Sequence, residues 1–555
     1  MIVLLILKSL LVCSVTAEII INGYNLRFSV VHLLGIDKDL EEIKISFSTA
    51  GDDGFAEATK LYVEGANDSG VSVAHLTLPT PLSRAIPIDS ELEGESLSGE
   101  NITGRIYGNG GSAGDKHIKF QYGTTDNSLK CQLSNNFNED DTTAGCLKRR
   151  GSLIVQKRNI EYSYDPFTDN DKGVTLQSFS AAADRHFNDC KMCPYDDYLK
   201  FRKYYGSITY ADDRIAAAFD GVSTNFIRGN TDFALYSRVG RGEAIKKTVV
   251  FMSIWMTVIG KMEAAVGLCN PYNCEIPNDC NPESVHAWDE AVALYTGSLE
   301  DEDDPGILLY AEAETRCKEF NTCKRGREKK SINEEIFDLF RMAQKDITNS
   351  KCNTLIAIKN RIVQLMTVPL IQSTLRYAYI NNYQTMNDVD RAKAQSEGAT
   401  YAASVVPMLH FCEKDNVQSQ RDAQLIYELM TVGPSETKFT EVKKAFERHY
   451  GCLGLSCEDI GGIYDQKTKS YLHNTKPCID AFQQDVEDVE ITVIILLIIL
   501  GSITVVTCCF LPCRRRRLMK KGEDQGSVEE DGLANTHGDD DDMEIISLND
   551  GKGLI

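Results

Sequence analysis

The sequence predicts an α+β chain: a β-rich N-terminal domain, read as a sandwich, then a duplicated all-α helical-bundle domain and one C-terminal transmembrane helix. Three observations carry this reading. Alternating, turn-rich segments fill the chain up to about residue 180, helical periodicity takes over afterwards, and one unbroken apolar run lies near the far end. The boundaries that follow are 1–17 for a signal peptide, 18–180 for the β-rich domain, 181–330 and 331–488 for two helical bundles, 489–513 for the membrane span and 514–555 for a cytosolic tail.

The start of the chain combines an apolar block with Val15 and Ala17 at the small-residue positions that signal peptidase reads, which predicts cleavage before Glu18. Near the other end, Ile491 to Leu511 carries no charge and is long enough to cross a hydrocarbon core of roughly 30 Å. Arg514 to Arg517, Lys520 and Lys521 follow it, so the positive-inside rule places the tail in the cytosol. The expectation is a single-pass type I protein of the plasma membrane. Of 18 cysteines, fourteen lie between Cys131 and Cys478, in the predicted ectodomain, where an oxidising compartment favours disulfides. Close spacing suggests Cys131 with Cys146, Cys317 with Cys323 and Cys452 with Cys457, without settling connectivity. Asn67 and Asn101 head Asn-X-Ser/Thr sites for glycosylation. A net charge of −22 argues against nucleic acid as a partner but names no ligand.

In the first zone "EIIINGYNLRFSVV" reads as strand broken by Asn22 and Gly23, and "EEIKISFSTAGDDG" alternates apolar with polar residues. "GRIYGNGGSAGDKHIKFQYG" reads as two strands around a glycine-rich hairpin loop. In the second zone "EAIKKTVVFMSIWMTVIGKMEAAVGL" is apolar around most of its circumference. Lys246, Lys247, Lys261 and Glu263 bracket a stretch too short to span a bilayer, so a buried core helix is expected. Seven further helical segments follow, and Pro369 is expected to kink or break the longest. Laid over each other, these helices show an internal echo. Ile245, Lys246 and Val249 match Ile358, Lys359 and Ile362, Glu290 matches Glu397, and "LLY" at 308 matches "LIY" at 425, all in the same order.

Three places carry candidate metal chemistry. In "SVHAWDEAVALYTGSL" His286 and Glu290 stand four apart on one helical face with Asp289 on the flank, a spacing that lets a rigid helix aim donors at one ion. The alternative is that His286 pairs with Glu290 or caps the first turn. "KYYGSITYADDRIAAAFDG" gathers Tyr204, Tyr205, Tyr210, Asp212 and Asp213, oxygen donors that suit a hard cation, with Arg214 beside them for an accompanying anion. The alternative is a loop entering a helix, its aspartates favouring the first turn. Glu263 in the apolar helix and Glu397 in the echo complete the set. HExxH and GxxxxGK do not occur, so an enzyme has no constellation to rest on.

The segments "YYGSITYADDRIAAAFDG", "EAIKKTVVFMSIWMTVIGKMEAAVGLC", "NPESVHAWDEAVALYTGSLE", "LLYAEAETRCKEF" and "RAKAQSEGATYAA" resemble the algal iron-assimilating proteins, which include phytotransferrins and low-iron-inducible periplasmic proteins. The resemblance covers roughly residues 184–478, and the β-rich start with a membrane anchor looks like the phytotransferrin branch. It implies capture of ferric iron, Fe(III), at the cell surface with carbonate as companion anion, and delivery by internalisation. In the tail, Asp541 to Ile546 resembles an acidic di-leucine signal, with Ile545 and Ile546 as the pair that endocytic sorting adaptors would grip. Two other readings remain: an adhesion or recognition ectodomain that binds no metal, and, from a distant likeness to imelysin-like proteins, a hydrolase.

Overall fold

A computed structural model describes the chain from residue 20 to residue 478, apart from internal segments of which 124–145 and 182–192 are the longest. The expected signal peptide, Asn67, Cys131, Cys190, the 489–513 span and the tail with Asp541, Ile545 and Ile546 lie outside the described residues.

The chain enters through a hairpin. Strands β1 (Ile20–Ile21) and β2 (Tyr24–Asn25) pair antiparallel around Asn22 and Gly23, whose φ angles of 47° and 73° are those a two-residue hairpin turn requires. The next segment corrects the reading of a β-rich domain from residue 18. "EEIKISFSTAGDDG" is not a strand; α1 (Ile36–Ser48) and α2 (Asp53–Glu64) occupy this stretch. Ile36, Leu40 and Ile43 recur at helical spacing and are buried together, whereas Ile45, whose alternation with Ile43 suggested a strand, is 59% exposed.

The β region is a closed barrel, which overturns the expected sandwich. Its strands are β3 (Ser72–Thr77), β4 (Glu91–Glu95), β5 (Asn101–Ile106), β6 (His117–Gly123), β7 (Arg150–Val155) and β8 (Arg158–Ser163), all paired antiparallel. The hydrogen-bonded order runs β6, β5, β4, β7, β8, β3, and β3 pairs back onto β6 from Ser72↔Tyr122 to Thr77↔His117, so the sheet meets itself. A short β9 (Asn170–Asp171) adds to β3. Alternation along each strand is the same in a sandwich and a barrel; closure depends on which distant strands pair. The interior is filled by Leu76, Leu92, Ile102, Ile106, Phe120 and Leu153, all fully buried. Gly104 shows how tight this is, since a Cβ there would meet the Gln121 carbonyl at 2.2 Å. Asn101, at the start of β5, is exposed.

The remaining elements are mostly helical: α3 (Leu176–Ala181), α4 (Asp196–Tyr205), α5 (Tyr210–Asp220), α6 (Arg238–Leu268), α7 (Pro282–Thr296), α8 (Leu309–Glu319), α9 (Ile332–Thr348), α10 (Leu355–Tyr383), α11 (Asp388–His410), α12 (Val417–Met430) and α13 (Phe439–Glu447), with a short antiparallel hairpin, Tyr464–Asp465 and Ser470–Tyr471, after them. Local signals set several starts. Ser237 accepts from the Gly240 amide at α6, Asn387 from Asp390 at α11, and Ser331 forms a capping box with Glu334 at α9. All these helices share one core with the N-terminal hairpin and α1, running from Tyr24 to Ile463.

Among the described residues, the most apolar helices are internal. Helices α6 and α10 are long and apolar enough to cross a membrane, yet 78% and 67% of their most apolar windows are buried inside the protein. Among the described residues, the helices of membrane-crossing length are thus two internal ones, not a single C-terminal span, and 489–513 lies outside the described residues. Helix α10 is not broken at Pro369; it runs on to Tyr383 with that proline buried, and the Trp255 indole of α6 donates to the Met366 carbonyl at 3.3 Å.

Among the described residues, five disulfides tie the helical part together: Cys269–Cys352, Cys274–Cys280, Cys317–Cys323, Cys412–Cys452 and Cys457–Cys478. Cys317 with Cys323 is the local loop that spacing suggested. Cys452 and Cys457 instead reach separate partners, because α13 carries Cys452 back against the end of α11. Cys146 and Cys193 are disulfide-bonded as well.

Candidate functional site

Four stretches of chain meet at a cavity of about 270 Å³: α1 brings Lys44, α6 brings Lys246, Lys247 and Phe251, α8 brings Glu312 and α11 brings Glu397. Helix α6 is locally rewound here into a π turn, Val249–Ile254. Such insertions recur at functional sites because they shift the faces of the helix on either side. The Lys247 ammonium stands 3.9 Å from a Glu312 oxygen and 3.7 Å from a Glu397 oxygen, over the rings of Phe251 and Tyr401. Burial works against its charge, but the two carboxylates outweigh it and raise the pKa.

Beneath the cavity Glu312 is the most heavily held group. It accepts from Arg316 Nε at 2.8 Å, from the Ser373 hydroxyl at 2.6 Å and from the Tyr401 hydroxyl at 2.7 Å. Burial alone pushes its carboxyl up. Arg316 and Lys247, aided by the two hydroxyls, reverse this and hold it at about 2, so it is ionised at any physiological pH. The ring of Tyr377 stacks on Tyr401 at 5.7 Å, and its phenol is pushed up by burial and by Glu397. The opening is therefore lined by two carboxylates and several lysines, with two buried phenols behind them, and its oxygen donors and cations suit a hard cation together with a small anion.

The structure sends the residues singled out in the sequence to different places. His286, Asp289 and Glu290 share α7 but face three ways. Asp289 accepts from the Tyr24 hydroxyl at 2.6 Å, from the Arg27 and Phe28 amides at 2.8 and 2.9 Å, and from Gln344 at 3.0 Å, clamping the N-terminal segment. Glu290 pairs with Lys261 at 2.7 Å, and His286 packs on the Phe28 ring at 5.5 Å with a buried Nε2 that lacks a hydrogen-bond partner. Glu263, fully buried, meets Lys359 at 3.2 Å, and Lys359 also reaches Asp197 at 3.3 Å. Burial pushes the Glu263 carboxyl up and Lys359 only partly restrains it, leaving it at about 7.

The tyrosine segment is internal. Tyr205 donates to the Ala403 carbonyl at 2.6 Å and Tyr210 to the Met252 carbonyl at 3.4 Å, while Tyr204 lies edge-on to His410. Burial drives all three phenols up, which disfavours phenolate. Asp212 accepts from Tyr62 of α2 at 2.8 Å, and Asp213, in the first turn of α5, accepts from the hydroxyls of Ser207 and Thr209. Arg214 is fully buried beside Thr231.

Of the predicted residues, Glu397 alone lines the cavity. Lys44, Lys247, Glu312, Arg316 and Tyr401 were not singled out as site residues. The pair Glu312 and Arg316, four apart on the apolar face of "LLYAEAETRCKEF", was the available signal, since two buried opposite charges on one face need a shared environment. Gly110 to Gly114 fits the Gly-x-Ser-x-Gly spacing of a hydrolase nucleophile in sequence. Its serine, Ser112, lies in the connection between β5 and β6 rather than on a strand-to-helix turn, and the Ser112 amide donates to Asp115 at 2.7 Å.

Among the described residues no group of three or more His, Cys, Asp or Glu side chains is placed to hold a metal ion. No protein family, characterised protein or solved structure matches the chain.

Proposed function

We propose that this chain captures ferric iron at the cell surface with carbonate as companion anion, and that the cargo is taken at the opening beside the π turn. The observation that carries the reading is the position of Lys247 between Glu312 and Glu397, with Tyr401 and Tyr377 beneath. A ferric ion with one carbonate carries a single net positive charge, the same as the ammonium already accommodated there. Exchange of one for the other would leave the local charge balance unchanged. Oxygen donors meet the preference of the cation, and Lys44, Lys246 and the displaced Lys247 suit the carbonate. The sequence resemblance supports the same cargo. Internalisation through the tail and its sorting adaptors belongs to this reading, and acid would release iron by protonating the carbonate.

The test is titration of the chain with ferric nitrilotriacetate, with and without bicarbonate, following the visible phenolate-to-iron band. Bicarbonate-dependent binding weakened at least tenfold in Glu397→Gln is the expected result. Binding that survives Glu397→Gln but is lost in Tyr204→Phe would move the site to the tyrosine segment. An absence of ferric binding would leave the adhesion reading, and hydrolytic activity would leave the imelysin-like one.

A further inference from the structure

A charge without a counter-charge sits away from that opening. Arg214, on α5, is 0% exposed. Its Nη1 donates to Thr231 Oγ1, which is itself 2.9 Å from the Tyr427 hydroxyl, and its guanidinium lies 5.3 Å from the Phe233 ring. Nε and Nη2 have no hydrogen-bond partner, and no carboxylate among the described residues forms an ion pair with them. The buried Tyr204 hydroxyl is equally unpartnered, and the buried Tyr236 hydroxyl faces Arg214 and makes no other contact of hydrogen-bond geometry. Tyr205 and Tyr236 are pushed up by burial, while the field of Arg214 pulls the other way, so the guanidinium stands within electrostatic reach of both rings.

An isolated buried charge is among the costliest things a fold can hold, and native structures pair it. The two unpartnered nitrogens lie on one edge of the planar group, the edge whose parallel N–H bonds take two oxygens side-on. We propose that Arg214 holds a small monovalent anion, a planar oxyanion in preference to a halide, as a built-in part of the fold between α5, the 222–236 turn and α12. The Tyr204 and Tyr236 hydroxyls supply further donors. The site shares no residue with the opening beside the π turn, and its occupancy does not depend on iron.

The probes are nitrate and bromide. The full-length chain, freed of iron and exchanged into gluconate, is unfolded thermally while either anion replaces gluconate at constant ionic strength. A saturable rise of the midpoint is expected, larger for nitrate than for bromide, absent in Arg214→Met and with about tenfold weaker nitrate affinity in Tyr236→Phe. Crystals of the unaltered chain soaked in bromide should show an anomalous peak beside Arg214, a readout that stands even if Arg214→Met fails to fold. No saturable shift with either anion overturns the proposal, as does an unchanged shift in Arg214→Met or a bromide peak elsewhere only.

Discussion

Asp289 and Glu312 are both helical carboxylates buried in the same core, and burial pushes both up, yet they end far apart. Asp289 rests at about 6 and Glu312 at about 2. Their partners make the difference. Asp289 is held by a phenol, two backbone amides and a side-chain amide, all neutral; Glu312 faces Arg316 and Lys247. Neutral donors satisfy hydrogen bonds without fully compensating desolvation, whereas cations do both. One carboxylate thus serves as a clamp for the N-terminal segment, and the other stays ionised beside an opening.

The sharpest way to break this contrast is Glu312→Ala. It strands Arg316 and Lys247 without their shared anion, and we expect a loss of about 3–5 kcal/mol in denaturant unfolding. Asp289→Ala should cost less, about 2–3 kcal/mol, because the four donors it abandons are neutral and three of them belong to the N-terminal segment. Its unfolding should be accompanied by easier proteolysis near residue 28; a loss equal to that of Glu312→Ala would erase the distinction.

The pH dependence separates the two groups by sign. Native values above the ordinary ones mean that Asp289, at about 6, and Glu263, at about 7, add stability as pH falls through those values toward about 4, the ordinary carboxylate range. Glu312, held below its ordinary value, contributes stability that is lost only as pH falls from about 4.5 toward 2. The denaturant midpoint should therefore hold or rise from pH 7.5 to about 5 and drop below about 4, and Asp289→Asn should flatten the upper part alone. The smallest effect on stability is expected for Glu397→Gln, about 0–1 kcal/mol, since its pairing with Lys247 is long and partly exposed.

Much of the architecture was legible in local pattern. The buried helix α6, the hairpin at Asn22 and Gly23, the strands flanking the glycine-rich loop and the Cys317–Cys323 loop all follow from spacing that neighbours in the chain enforce. Of the candidate site, only Glu397 was visible, and through an echo between helices rather than through chemistry. His286, Asp289 and Glu290 had the right spacing, but spacing does not say what approaches a helix. Asp289 is claimed by Tyr24, 265 positions earlier in the chain.

The sequence by itself determined most helices after residue 180 and the strands around the glycine-rich loop, because helical and strand periods, caps and turn residues act within a few positions; α1 and α2, read as strand, escaped it. Tertiary structure alone decided that β3 closes the barrel onto β6, that α1 joins the helical core, and that Lys44, Lys247, Glu312 and Glu397 share one opening. Those outcomes rest on pairings between distant segments and on which charges share a desolvated space, and desolvation is a property of the folded surroundings, not of any stretch of residues.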